Sequence, residues 1–376
     1  MKPASTDPLA NWDRPRLFAD ATYRVLETEG SVSSILFENV PYAGRPTEVF
    51  AYVGIPRGAT TRVPGMILVH GGLGAAFRDW VETWVQRGYA AIAMDLNGCG
   101  ANRVPLTRRG PAMDDAVIFD PAVTWADSWT YHAVAAVLRS HTILRSFPLV
   151  DPARIGLTGV SWGGYLTCLA ASLDPRLACA IPVYGCGYLQ ANSALVWMDR
   201  FAAMTPAQRL TWHEQCDPSV YLPAATAPML FVSGSNDFAY PLDSVAKTYA
   251  LPQSPVTFCV RVGMEHSQEC GIAPGEIALF ADQHLRHGEP LPVISPAQLT
   301  GRSLRARWTH HQPITSAYLH FTAAAGRWQE RRWLSSPARL EDGLITADLP
   351  DAVTVCYLSV EDDRGAFVSS PHLEIA

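Results

Sequence analysis

Ser161 stands between Gly159 and Gly163, at the end of an apolar, β-rich run and ahead of a helix-like stretch over residues 165–173. The pattern G-x-S-x-G in a strand–turn–helix setting is that of a serine held on a tight turn with its hydroxyl exposed. Glycines two positions to either side are needed there because the backbone must pass neighbouring elements closely. A serine hydroxyl is a weak nucleophile unless a base takes its proton and a carboxylate orients that base. Both partners are available further along the chain. Asp237 closes Gly234-Ser235-Asn236-Asp237 after the strand-like run 229–233, and His266 closes Gly263-Met264-Glu265-His266 after the run 256–262. Taken singly, each has a plain reading as a turn aspartate or a loop histidine. Together, at the ends of successive strands after Ser161, they make a candidate triad for acyl transfer.

Such chemistry also needs donors for a developing oxyanion. The N–H of Trp162, which follows the serine at a helix start, is one candidate. The other is Gly72 in His70-Gly71-Gly72-Leu73-Gly74, where a glycine lets backbone approach substrate. His70 is expected to shape this loop without transferring protons, and the run lacks the Lys-Ser/Thr of a phosphate loop. Tyr184, Trp197, Phe238 and Tyr240 lie near the candidate site in sequence and are expected to line a substrate pocket, unless they serve only as core.

The 376 residues are 48% hydrophobic and 17% charged, enough for one large domain and a small one with a sizeable core. A net charge of −6 without a basic stripe argues against nucleic acid or an anionic membrane as partner. No apolar run reaches the ~20 residues of a transmembrane helix. Residues 1–16 are polar and Pro-rich without an apolar signal core, so a cytoplasmic location is expected, and export would require a signal that has been removed. None of the eight cysteines falls in a C-x-x-C or other metal-like spacing, so neither a metal site nor a cofactor is expected. The sequence leaves the oligomeric state open.

The elements that must position these residues follow in order. Residues 1–33 read as an irregular extension with at most a short helix. Runs 34–40 and 47–55 suggest an antiparallel pair at a sheet edge. Buried strands are expected at 63–69, 89–95, 179–184, 228–233 and 256–262, alternating with helices at 76–87, 125–146, 242–250 and 277–287. That alternation implies an α/β fold, a mostly parallel sheet with helices on both faces. Residues 97–123 read as a long functional loop, and 188–221 as a cap insertion of two short helices. Asp243 is expected to cap the helix that follows it. Residues 291–296, rich in proline, read as a linker between a catalytic domain at 34–290 and short β-segments at 297–376, a small antiparallel β-sandwich.

The turn around Ser161 is an elbow whose full stretch, D-P-A-R-I-G-L-T-G-V-S-W-G-G-Y-L-T from Asp151 to Thr167, together with Ser233 to Asp243 and His70-Gly71-Gly72, resembles the α/β-hydrolase superfamily, nearest its acetylxylan esterase and dienelactone hydrolase-like branch. The likeness covers roughly 34–290, and the C-terminal segment is similar to the appended β-sandwich of some bacterial esterases. The family order is serine, acid, histidine, which fits Ser161, Asp237 and His266 and leaves Asp95 out of order. His132, His141, His213, His284, His287, His310, His311, His320 and His372 are read as structural or surface residues. Two departures matter. Dienelactone hydrolases proper carry a cysteine where this chain has Ser161, so lactone chemistry is not implied. The prolyl oligopeptidases share the elbow but carry a β-propeller that the ~60 residues before the first parallel strand are too few to form. The resemblance implies a serine carboxylesterase acting on short acyl esters of a small molecule or carbohydrate. A peptidase or amidase is the second reading. The third is a non-catalytic carbohydrate-binding protein, with Trp308, Tyr318, Trp328 and Trp333 as its aromatic row.

Overall fold

In the computed structural model, residues 7–375 are described; residues 1–6 of the N-terminal extension and Ala376 lie outside. Three antiparallel strands come first, Tyr23–Glu29 (β1), Val32–Tyr42 (β2) and Arg45–Gly54 (β3). Six parallel strands follow: Val63–Val69 (β4), Ala90–Met94 (β5), Val150–Val160 (β6), Cys179–Val183 (β7), Met229–Gly234 (β8) and Val256–Arg261 (β9). Their spatial order is β5-β4-β6-β7-β8-β9, with β3 antiparallel to β5. Strands β5, β7 and β8 are buried along their whole length, because helices cover both faces of a parallel sheet. The helix Trp162–Leu173 is buried at every residue. The helix Trp129–Ser146 is buried from Trp129 through Leu144 and capped by the Ser128 hydroxyl.

Strand β1 was not legible in the sequence. All seven of its residues are exposed, so it carries no buried stripe to betray it and is held by backbone pairing to β2. The insertion between β7 and β8 contains helices Leu195–Ala203, Pro206–Cys216 and Pro218–Tyr221. Within 97–123 a helical turn, Asp115–Ile118, brings Phe119 into the core.

The C-terminal strands are Val293–Ile294 (β10), Gln298–Thr300 (β11), Ser303–Thr309 (β12), Ile314–Thr322 (β13), Leu334–Pro337 (β14), Arg339–Glu341 (β15), Leu344–Asp348 (β16), Val355–Asp362 (β17), Phe367–Ser369 (β18) and Leu373–Glu374 (β19). Strands β10, β11, β12, β15 and β16 form a separate antiparallel sheet. The others continue the central sheet, since β18 pairs with β9 through Ser369 and Phe258. Side chains reinforce the join. The Val260 N–H donates to Ser369 Oγ (2.9 Å), Tyr357 OH to the Val260 carbonyl (3.1 Å), and the Phe367 N–H to Glu276 Oε1 (2.6 Å). Strand β10 falls in the Pro-rich stretch 291–296 and pairs with Trp308 and Thr309. Trp328 and Trp333 are buried.

Candidate active site

Strand β6 ends at Val160, and Ser161 turns into the next helix with φ 60° and ψ −121°. An L residue held at positive φ in this region stores about 1–3 kcal/mol of strain, which the surrounding packing must impose. The packing is tight enough to do so. A Cβ on Gly163 would lie 2.0 Å from the Val69 carbonyl oxygen, and one on Gly159 would lie 2.2 Å from that of Gly163. The Ser161 N–H donates to the Val183 carbonyl (2.9 Å), and its own carbonyl accepts the Tyr165 N–H (2.9 Å), so the turn is tied at both ends.

Ser161 Oγ lies 2.8 Å from His266 Nε2, and His266 Nδ1 lies 2.6 Å from Asp237 Oδ2. Asp237 is buried, and its other oxygen accepts the N–H groups of Ala239 (2.9 Å) and Tyr240 (2.7 Å). An acceptor-only carboxylate in that cradle makes Nδ1 the protonated nitrogen of a neutral His266. Nε2 then presents its lone pair to the serine proton. The three side chains identified in sequence thus form one hydrogen-bonded chain.

The loop after β4 passes directly over the turn. A Cβ on Gly71 would come within 2.9 Å of Ser161 Cβ, and one on Gly72 within 3.1 Å of the Trp162 indole. His70 braces this loop from below. Its Nδ1–H donates to the Gly71 carbonyl (2.7 Å) while Nε2 accepts the Leu96 N–H (2.9 Å). Complete burial pushes its pKa down to about 4, in keeping with a neutral ring that both donates and accepts.

Among the four aromatic residues expected at a pocket, only Phe238 is exposed (58%), with its ring edge-on to His266 at 4.9 Å. Tyr184 and Tyr240 are buried and stack against the imidazole at 4.6 Å and 6.2 Å. Tyr184 OH also donates to the Glu265 and Ser267 carbonyls on either side of His266. Trp197 packs on Trp162 at 4.7 Å and on Tyr240 at 5.4 Å. Phe119 completes this group, 6.1 Å from both Trp162 and Trp197. Sequence reasoning missed Phe119 because its loop has no periodicity. Asp115, beside Trp197, was missed for the same reason. Burial raises its carboxyl pKa, against a hydrogen bond from the Trp197 indole. Asp243 does not cap its helix. Pro241 holds the capping position, and the Asp243 carboxylate instead accepts from the Asn192 amide at 3.0 and 3.1 Å.

A serine at a strained strand-to-helix turn, on a parallel sheet continued by antiparallel edges, defines the α/β-hydrolase fold. The model of the dienelactone hydrolase family matches residues 49–253, more than half of the chain, and the protein belongs to that family of hydrolases. None of the curated proteins matches the sequence. Solved structures with the same fold include an acetyl xylan esterase from Paenibacillus sp. R4, at 21% identity and TM-score 0.61, covering 74% of this chain and 95% of that one. Acetyl xylan esterase 1 from Thermoanaerobacterium sp. JW/SL YS485 is similar at 18% identity and TM-score 0.60, covering 75% and 93%. A puromycin-hydrolyzing peptidase of Mycobacterium tuberculosis shares 20% identity at TM-score 0.50, over 71% of this chain and 46% of that one. No helix among the described residues is long and apolar enough to cross a membrane.

Proposed function

We propose that the protein is a serine carboxylesterase that removes short acyl groups through an acyl-enzyme. The observation that carries this reading is the continuous relay from Ser161 Oγ through His266 to the buried Asp237, at 2.8 and 2.6 Å. In the proposed mechanism Ser161 Oγ attacks the ester carbonyl carbon as His266 Nε2 accepts its proton. The N–H groups of Trp162 and Gly72 receive the oxyanion, and each such donor is worth about 3 kcal/mol to the transition state. Collapse expels the alcohol, which takes the proton back from His266. Water then attacks the acyl-enzyme with His266 as base, and departure of the acid restores the serine. Nothing in this sequence calls for a cofactor or metal.

Small acyl groups are favoured because Phe119, Trp162, Trp197 and Tyr240 pack against one another beside the serine and are all buried. The two acetyl xylan esterases of like fold make acetylated carbohydrate the first natural ester to try. The peptidase of like fold keeps amide hydrolysis as the second reading. Hydrolysis of p-nitrophenyl esters from acetate to decanoate, with Ser161→Ala as blank, tests the proposal. A maximum at acetate that vanishes in the variant is expected. A rate rising with chain length would remove the short-acyl assignment, and faster cleavage of peptide p-nitroanilides would move the reading to an amidase.

A further inference from the structure

The C-terminal strands reach the candidate site through a short turn, Trp328–Glu330, between β13 and β14. The side chains that link it to the site are polar and half-buried, and their hydrogen bonds form a connected path. Asn236, the neighbour of Asp237, donates its amide to the carbonyls of Arg331 (2.6 Å) and Gln329 (3.3 Å). Its Oδ1 accepts from the Ser235 hydroxyl (2.8 Å), which itself accepts the N–H of Gly263, three residues before His266 (3.2 Å). In the other direction, the Gln329 amide donates to Asn192 Oδ1 (3.0 Å) and to the Ser193 carbonyl (3.3 Å). Asn192 in turn donates to Asp243 and lies just ahead of the helix Leu195–Ala203 that carries Trp197. One turn of the C-terminal part therefore touches the acid loop and the insertion beside the aromatic group, and is linked through Asn236 and Ser235 to the approach to the histidine loop.

We infer that Asn236 and Gln329 are positioning residues, through which the C-terminal strands set the Asp237 loop and the insertion bearing Trp197. The inference rests on the proposed triad. The two residues act on different quantities. Asn236 fixes the carboxylate that orients His266, so it governs the chemical step. Gln329 fixes the insertion against the body, so it governs substrate binding. Bound geometry is unforgiving here, since a displacement of about 1 Å at a reacting group lowers rates on the order of 100-fold.

The test uses the full chain and p-nitrophenyl acetate, with active enzyme counted by fluorophosphonate titration so that misfolded protein does not enter the rate. Asn236→Ala is expected to lower kcat by on the order of 100-fold. KM for the acetate ester should stay close to wild type, so that the loss falls on the chemical step. Asn236→Asp keeps the shape but sets an acceptor against two carbonyls, and is expected to behave alike. Gln329→Ala is expected to raise KM with kcat close to wild type. Arg339→Ala, which breaks only an exposed pair with Asp348 in the same C-terminal part, is expected to leave both unchanged. A fall in Tm with titrated kcat and KM both unmoved would overturn the inference, as would equal losses in Arg339→Ala. Ser161→Ala run alongside separates the two levels. Wild-type turnover in that variant removes the triad and this inference together. An inactive Ser161→Ala with unmoved Asn236 and Gln329 variants removes only the inference.

Discussion

Replacing Asp237 by asparagine should silence the enzyme while leaving the fold in place, and the structure says why. Asp237 Oδ1 accepts two backbone N–H groups, from Ala239 and Tyr240, and an asparagine carbonyl can keep both. The new Nδ2 must then occupy the Oδ2 position, 2.6 Å from His266 Nδ1, and it carries protons where the carboxylate had lone pairs. To accept from it, Nδ1 must give up its own proton, so the neutral ring is protonated at Nε2. That N–H now faces Ser161 Oγ at 2.8 Å, where the mechanism needs a base. A wrong tautomer in a Ser-His-Asp relay lowers kcat by about 10⁴, or about 5 kcal/mol. Stability should barely change, because both backbone bonds survive. Asp237→Ala differs, since it orphans two buried N–H groups at about 1–3 kcal/mol each. The assay is kcat on p-nitrophenyl acetate, with urea unfolding of the same preparations. A kcat for Asp237→Asn within tenfold of wild type would refute the tautomer argument.

Other perturbations follow from the same geometry. Gly163→Ala places a methyl 2.0 Å from the Val69 carbonyl oxygen, a clash with backbone that cannot yield, so a loss exceeding ~3 kcal/mol or an insoluble protein is expected in urea unfolding or expression tests. His70, with a pKa near 4 in the fold against 6.5 when unfolded, should make the protein acid-labile. The fold excludes the protonated ring, so this stability is complete above pH 6.5 and drains away as pH falls towards 4, by about 3 kcal/mol in all. Tm measured from pH 7 to pH 4 should fall most steeply in that window, and less so in His70→Asn. Asp174 is buried between His141 and Arg176, whose hydrogen bonds hold its carboxyl well below the usual range despite burial. Asp174→Ala should destabilise by about 3–5 kcal/mol in urea, with kcat per folded molecule retained.

The parallel strands were legible because burial on both faces leaves near-continuous apolar runs, as in Met66 to Val69 and Ala90 to Met94. Ser161, Asp237 and His266 were legible because each follows such a run, where a parallel sheet gathers its loops at one edge. What escaped was whatever depends on contacts between distant segments. β1 has no buried face, and Phe119 sits in a loop without period yet packs on Trp162. The tie from Gln329 to Asn192 spans 137 positions and leaves no local trace. Asp243 shows the opposite error. Its place at a helix start suggested a cap, but the neighbouring insertion supplied Asn192 as a better partner.

The claim that Ser161 is the nucleophile can be tested without knowing the natural substrate. Treat the wild-type protein with a fluorophosphonate, digest it, and locate the adduct by mass spectrometry. A single adduct on the peptide bearing Ser161, absent from Ser161→Ala and slowed in His266→Ala, is the expected result. An adduct elsewhere, or ester turnover by Ser161→Ala at the wild-type rate, would contradict it.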